Sequence, residues 1–428
     1  MEEKMKVLLK ICSTVIILWA IAFAQAPDTV WSKIFDHVTP QYGMYVQQTN
    51  DGGYFFVGYA VNPIRALISK VNPEGVLMWE TGQGYCSAYS GVQTYDGKYV
   101  VTGYSQSSSS LWLMKINEGG GFEWQQTFAQ GLDGRSIQET TPDNGYIITG
   151  VALYNNADVI LLKTDENGQY LWHQIYGRIS HDYGYSVQQT IDGGYIIGGL
   201  TYSYGDSEQA FFIKTDSLGN EQWTTVWGDQ YRDGIASVSQ TIDGGYIATG
   251  YTQSAPDDYD VLLIKLTADG QVDWYRTFSH GSDEIGFWVE QCQDGGFIIS
   301  ATDYWGEFNS NVWLIKTDNL GGEEWEKTFR RGNYSEGHCV RQTTDGGYIV
   351  VGRTEISVFS YIYLIKTTPE AMETNDDLSL AYNSNRHLVR KPNSTEFHVV
   401  YTACDRICYC KSSDDGGTWS DVTNLGKG

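Results

Sequence analysis

One phrase recurs along the chain. "QQTNDGGYFFVG" (47–58) returns as "QQTIDGGYIIGG" (188–199), "SQTIDGGYIATG" (239–250) and "RQTTDGGYIVVG" (341–352). Asp-Gly at the centre of such a phrase makes a two-residue hairpin turn, because both central positions favour positive φ. The turn begins at Asp51, Asp96, Asp143, Asp192, Asp243, Asp294 and Asp345, with spacings that drift from 45 to 51 residues. A period of that length marks a repeated supersecondary unit, and whatever one copy forms the others must form too.

Each copy reads as four short strands. A run such as "YSVQQT" leads into the Asp-Gly turn, and "GYIIGG", rich in β-branched and aromatic side chains, leads out. A polar loop of variable length follows, then a third strand such as "VLLIKL" (261–266), then a turn such as "TDENG" (164–168). The fourth strand opens on tryptophan: Trp31, Trp79, Trp124, Trp172, Trp223, Trp274 and Trp325. Four antiparallel strands cannot cover both of their own apolar faces, so the copies must stack round an axis as blades. The tryptophans are read as buried packing between neighbouring blades, worth roughly 2–3 kcal/mol each by area. Trp31 precedes the first turn, while the last copy ends at "YLIKTT" (363–368) with no tryptophan strand after it. The strand at Trp31 is therefore expected to complete the seventh blade and remove the exposed edges. The expected fold is all-β, a seven-bladed β-propeller of four-stranded antiparallel blades over residues 29–368, with the N-terminal strand closing the last blade.

A lysine occupies the same place in every third strand: Lys70, Lys115, Lys163, Lys214, Lys265, Lys316 and Lys366. Seven equivalent sites read as architecture, with each lysine pairing a nearby turn carboxylate such as Asp165 or Asp216, or reaching water.

The N-terminus carries Lys4, Lys6 and Lys10, an apolar run from Ile11 to Ala24, and a small-residue Ala22-Phe23-Ala24 site. This is the pattern of a secretory signal over residues 1–24, so a secreted or cell-surface protein is expected, with no membrane span once the signal is cut. Lys plus Arg number 28 against 52 Asp plus Glu, a net charge of −24, which repels phosphate backbones and argues against nucleic acid. Of seven cysteines, six follow the signal: Cys86, Cys292, Cys339, Cys404, Cys408 and Cys410, too few to build a disulfide scaffold. The run "CDRICYC" (404–410) suits a disulfide better than a soft-metal site, since it lacks a second ligand pair.

The unit "DVLLIKLTADGQVDWYRTF" followed by "DGGYIIxG" resembles the β-propeller repeats of bacterial exported surface proteins across most of residues 31–368. That resemblance implies a structural scaffold and no particular ligand. "LLKTDENGQYLW" (161–172) is similar to the tryptophan-docking motif of pyrroloquinoline-quinone dehydrogenases, but the vicinal cysteine pair usual in those enzymes is missing. Further on, "SSDDGGTW" fits the Asp-box of sialidase-type propellers through Ser412, Asp414, Gly416, Thr418 and Trp419. The box implies a β-hairpin turn and not catalysis. Residues 380–428 are thus expected to be a partial Asp-box blade, cut short, joined by a polar linker at 369–379.

No HExxH, phosphate loop, nucleophile elbow or paired CxxC is present, and the seven histidines are dispersed. No catalytic or cofactor-binding residue is assigned. Ca2+ is the one cofactor weighed, through the oxygens of residues 256–260 or of the turn Asp165-Glu166-Asn167-Gly168. The candidate ligand-binding side chains are Tyr202, Tyr204, Asp206, Asp257, Asp258, Tyr259, Tyr304 and Trp305, in variable loops that mix aromatics with acids. The expected function is a monomeric, non-enzymatic surface binding or adhesion module for a glycan or an extracellular protein. The alternatives are a spacer without ligand and an exported hydrolase or quinone-dependent dehydrogenase, which would show an asymmetric cluster of carboxylates, His or Arg at one mouth of the channel.

Overall fold

The computed structural model describes residues 24–35, 39–153, 156–205, 207–255, 258–306, 309–357, 359–372, 386–390, 397–403, 406–412 and 423–427. The chain divides into two units, Ala26–Glu370 and Met1–Gln25 with Ala371–Gly428.

The larger unit is a seven-bladed β-propeller. Six blades are four-stranded meanders in chain order. Blade 1, for example, comprises Gln41–Gln48, Tyr54–Ala60, Arg65–Val71 and Leu77–Thr81. Blade 7 takes three strands from Tyr334–Gln342, Tyr348–Ile356 and Phe359–Thr367, and its fourth from the other end of the chain. That strand, Thr29–Phe35, pairs antiparallel with Phe359–Thr367, Trp31 opposite Lys366 and Phe35 opposite Ile362. The first strands of successive blades touch one another all the way round, so they form the inner wall of a closed ring. Second and third strands are almost wholly buried, as in Ser110–Ile116, because both faces are covered by neighbouring blades.

Each tryptophan bridges to the next blade. Its ring meets the aromatic that follows the Asp-Gly turn there: Trp31 with Tyr54, Trp79 with Tyr99, Trp124 with Tyr146, Trp172 with Tyr195, Trp223 with Tyr246, Trp274 with Phe297 and Trp325 with Tyr348, at 5.5–6.2 Å between centroids. Six of the rings also lie against a turn glycine of that blade, where a Cβ would collide. At Gly168, with φ +71°, the added carbon would sit 2.5 Å from Trp124. Only Trp325 is fully buried. The other six stay partly exposed, because the strand that carries them is the outermost of its blade.

The lysines pair, but not with the turn carboxylates expected. Each ammonium meets the aspartate of the Asp-Gly turn in its own blade, at 2.5 Å for Lys70–Asp51, 3.3 Å for Lys115–Asp96 and 2.7–3.0 Å for the rest. Asp165 is taken by its own turn, where it accepts the Asn167 and Gln169 amides, and Asp216 likewise accepts those of Leu218 and Asn220. The Asp-Gly aspartate is a hub. In blade 5, Asp243 accepts the Thr241 hydroxyl and the Gly245 amide as well as the Lys265 ammonium. Burial works to raise such a carboxyl, but in Asp51 the Lys70 ammonium, the Thr49 hydroxyl and the Gly53 amide outweigh it and hold it at about 2. Asp243→Ala should destabilise by roughly 3 kcal/mol, because it strands the buried Lys265. Lys265→Met should be close to neutral, since Asp243 is more than half exposed and stays hydrated. Urea unfolding of the two variants checks the asymmetry.

A second belt uses the glutamine before the turn threonine. The backbone N–H of the residue after that threonine donates to the side chain of the next blade's glutamine, as in Asn50 to Gln93, Ile191 to Gln240 and Ile242 to Gln291. Glu139 takes the glutamine's place in blade 3, and Thr344 to Gln48 closes the circle at 2.8 Å.

In the smaller unit, Arg386–Arg390, Phe397–Ala403, Arg406–Ser412 and Thr423–Lys427 form a four-stranded antiparallel sheet in sequence order. Ala24–Gln25 pairs with Ala371–Met372. Ser412 ends the third strand, and Asp414, Gly416, Thr418 and Trp419 lie outside the described residues, as do Cys404 and the leader-like segment 1–23. Cys86, Cys292 and Cys339 are buried free thiols of the propeller.

Candidate functional site

Antiparallel order sets two ends to the ring. The Asp-Gly turns and the third-to-fourth turns lie at one end. The variable second-to-third loops and the blade-to-blade connections lie at the other, so all the loop candidates share the loop end.

The structure gathers some candidates and separates others. The Tyr202 hydroxyl donates to Glu208, which also accepts the Tyr251 hydroxyl at 2.8 Å. Tyr251 stands edge-on to Tyr259 at 5.6 Å, and Arg232 donates to the Tyr259 hydroxyl at 3.4 Å. Tyr202 and Tyr259 therefore join one network across blades 4 and 5. Tyr204 stands apart, 42% exposed, with the Arg178 guanidinium 4.7 Å from its ring. Trp305 is built the same way on blade 6, 44% exposed and backed by Arg330 at 4.9 Å. Arg330 is itself held by the Gly332 carbonyl and the Asn309 side chain. Asp258 accepts the Ser254 hydroxyl, and Asp206 and Asp257 lie outside the described residues. Among the described residues, the carboxylates that converge are Asp294, Glu324 and Glu370, and the Lys316 ammonium already sits 2.8 Å from each of the first two.

Tyr304 turns inward to a cluster that sequence reasoning missed. Glu336, buried on the inner strand of blade 7, accepts the Tyr304 hydroxyl at 2.9 Å, the Tyr334 hydroxyl at 2.8 Å and Arg353 Nε. His338 Nε2 lies 3.3 Å from the same carboxylate, and His338 Nδ1 is 2.7 Å from the Gly43 carbonyl of blade 1. Burial works to raise the Glu336 carboxyl. The His338 and Arg353 side chains outweigh it and hold the group far below the usual carboxylate range. Burial and the Glu336 charge push the Tyr334 phenol up to about 12, so it stays a donor. A carboxylate held ionised and enclosed by four partners organises its surroundings and is poorly suited to carry a proton.

From this cluster an aromatic arc runs round the loop-end mouth. Arg353 lies between the rings of Tyr42 and Tyr334, 4.7 and 4.8 Å away. Tyr42 stacks on Tyr59 at 4.9 Å, and Tyr59 meets Tyr89 at 5.8 Å. Beyond it, Arg135 pairs with Asp133 at 3.3 Å and lies over Tyr185 and Tyr183. The local cause is a β-bulge at the same place in all seven inner strands, which leaves Met44, Tyr89, Arg135, Tyr185, Ala236, Phe287 and His338 unpaired. Bulges re-aim side chains where a regular ladder would alternate them. The signal available in the sequence was the tyrosine count, 31 against 15 Phe, and the divergence of the copies at this one position.

His280, in the connection into blade 6, stacks on Trp313 at 4.1 Å, with Nδ1 3.3 Å from Asp303 and Nε2 2.9 Å from Glu326. Burial works to lower its pKa, but the two carboxylates outweigh it and raise it. A raised folded-state pKa stabilises fully below the unfolded value of about 6.5 and loses that contribution as pH rises through the folded value. His280→Gln should therefore cost stability at pH 5.5, on the order of 1 kcal/mol after solvent screening, and much less at pH 9. Thermal melts of both proteins across that range measure it.

No protein-family model matches the chain, and no curated protein matches its sequence. Solved structures match by fold. The WD40 domain of Neurospora crassa Pan2 is 10% identical with a TM-score of 0.50, over 79% of this chain and 92% of that one. The extracellular domain of the putative hybrid two-component system BT3049 from B. thetaiotaomicron is 10% identical with a TM-score of 0.49, over 93% of this chain and 57% of that one. The β-propeller domain of the Trilobed protease from Pyrococcus furiosus is 12% identical with a TM-score of 0.46, over 79% of this chain and all of that one. At such identities the likeness is one of fold alone, and function has to be argued from the site. Among the described residues, no helix is long and apolar enough to cross a membrane.

Proposed function

We propose that the protein is an exported, non-enzymatic propeller that binds a glycan or a protein at the cell surface through the loop end of its ring. One observation carries this reading: Tyr204 and Trp305 are large aromatics left exposed at that end, each fixed by an arginine against its ring. A rigid, half-exposed aromatic offers contact area at little conformational cost, which is why such residues anchor binding surfaces. The N-terminal leader pattern supports export.

The cluster at Glu336 is the observation that favours an enzyme, since it joins a carboxylate, His338 and Arg353 at one mouth. Against that reading, Glu336 spends its oxygens on internal partners, which leaves no evident general acid or base. The test is a screen of the purified protein against arrayed glycans and surface-protein extracts, with Trp305→Ala/Tyr204→Ala as the comparison. Binding lost in the double variant, with an unchanged melting temperature, is the expected result. Binding unaffected by the two substitutions would remove the loop end from consideration.

A further inference from the structure

We infer that the ligand of the loop end is a carboxylate-bearing saccharide, a reading that rests on the binding function proposed above. The two ends of the ring differ in how their cations are matched. At the turn end each of the seven lysines meets the aspartate of its own hairpin. Among the described residues, the arginines in ion pairs are Arg135, Arg341 and Arg353. Arg178, Arg232, Arg330 and Arg331 are in none, and all four stand in blade-to-blade connections at the loop end. The acids beside them are spent on backbone and hydroxyl groups. Buried Asp182 accepts the Arg178 backbone N–H at 3.1 Å and the hydroxyls of Thr201 and Ser203. Buried Asp233 accepts the Asp229 N–H and the Thr252 hydroxyl. Ser335, which is uncharged, takes the same place for the Arg331 N–H. The connections are thereby held in shape, while the Arg178 and Arg330 guanidinium groups stay without an ion-pair partner.

Those two arginines are the ones that lie on the exposed rings, Arg178 at 4.7 Å from Tyr204 and Arg330 at 4.9 Å from Trp305. Each platform therefore sets a ring face beside an unmatched cation. The C–H-bearing face of a pyranose suits the negative face of an aromatic ring. A uronic acid adds a carboxylate at the edge of the same sugar, and a guanidinium is a planar donor fork that matches a carboxylate. Arg330 gives Nε to the Gly332 carbonyl and Nη2 to Asn309, which orders the group and leaves Nη1 for a ligand. A neutral sugar would strip water from these cations and supply no counter-charge. The chain's net charge of −24 opposes an anion at long range, but the Debye length is about 8 Å at physiological ionic strength, so the adjacent arginine outweighs remote carboxylates. The platforms stand on blades 4 and 6, so a polymer that repeats one ring and one carboxylate per residue fits them better than a protein, which would need a continuous patch.

The experiment uses the purified full chain and calorimetry against uronate oligosaccharides (galacturonate, alginate and hyaluronate), the same chains with their carboxyl groups reduced to alcohols, and sulfated galactan oligosaccharides that lack carboxylates. The expected result is binding to a uronate oligosaccharide that falls by roughly tenfold or more in its reduced form. Arg330→Gln and Arg178→Gln should each weaken uronate binding by roughly tenfold and leave the residual binding of the reduced chain unchanged. Arg330→Lys should recover only part, because an ammonium lacks the planar fork. The melting temperature should move by less than about 2 °C, since neither arginine is in an ion pair. Equal binding of native and reduced chains, lost in Trp305→Ala but not in Arg330→Gln, would overturn the acidic class and leave the loop-end reading standing. Preference for the sulfated chains would overturn the carboxylate assignment. No saccharide binding, with a protein ligand held by the wild type but not by Trp305→Ala, would overturn this inference alone. Binding that ignores Trp305, Tyr204 and both arginines would overturn the loop-end reading as well.

Discussion

A chain that begins at Thr39 should lose the cooperative unfolding transition of the propeller and self-associate. The truncation removes Thr29–Phe35, the outer strand of blade 7, and with it a ladder of six paired residues. Trp31 also goes, together with its contacts to Tyr54, to Gly75 and, through its indole N–H, to the Pro73 carbonyl at 2.9 Å. These contacts tie blade 7 to blade 1 across the only seam where the ring is not continuous in sequence. Burial of the tryptophan and the lost ladder together should cost on the order of 5 kcal/mol or more. Phe359–Thr367 would then be a bare edge, open to another chain. Size-exclusion chromatography with light scattering should show oligomers, and urea unfolding a smaller and broader transition. Added peptide spanning residues 29–35 should shift the sample back towards monomer. A truncated protein that stays monomeric with an unchanged transition would show that closure contributes little.

The second large effect is expected at Glu336. Glu336→Ala removes the one group that serves Arg353, His338, Tyr304 and Tyr334 together, and it leaves the Arg353 guanidinium partly buried with only the more distant Glu355. Breaking a buried ion pair from one side costs about 3–5 kcal/mol. Glu336→Gln keeps the shape and an acceptor, and should cost less. The pH dependence has a definite sign. Because the folded-state carboxyl is depressed, its stabilisation is present above the unfolded value of about 4.3 and is lost as pH falls through the folded value. Wild type should therefore lose stability towards low pH more steeply than Glu336→Gln. Equal slopes would mean that Glu336 is not ionised in the fold.

Much of the architecture could be read from the repeat because each cue is local. Asp-Gly calls for a hairpin wherever it stands, although the turn is wider than the two residues expected, with strands ending at Gln48 and resuming at Tyr54 and with positive φ at Gly52 but not at Asp51; a tryptophan strand without a preceding partner calls for one from the other terminus. The lysine pairing was only half legible. Their common register showed that the seven lysines shared a role, but Asp165 and the Asp-Gly aspartate both stand close enough in sequence to be the partner. What separates them is that Asp165 caps its own turn amides, a choice made by backbone geometry. The tryptophans read as buried packing between neighbouring blades; each does pack against the next blade, but six stay partly exposed, because periodicity identifies packing partners but not which strand is outermost.

For the candidate site, the loops at 203–209 and 303–311 stood out as aromatic and polar, and two of their rings, Tyr204 and Trp305, do stand exposed at one end. Tyr304, the last residue of its strand, donates instead to Glu336, while Trp305 begins the loop that follows.

The sequence alone determined the number of blades, their strand order and the seam, because turn chemistry and strand alternation act within a few residues and every copy repeats them. Only the tertiary structure decided the inner wall. His338 and Gly43 are 295 residues apart and meet because the ring closes; the bulge that leaves His338 unpaired recurs in every blade, but what the bulged side chain meets differs from blade to blade. Contacts between side chains of distant blades depend on the curvature and register of the whole ring, and those quantities exist only once all seven blades are in place.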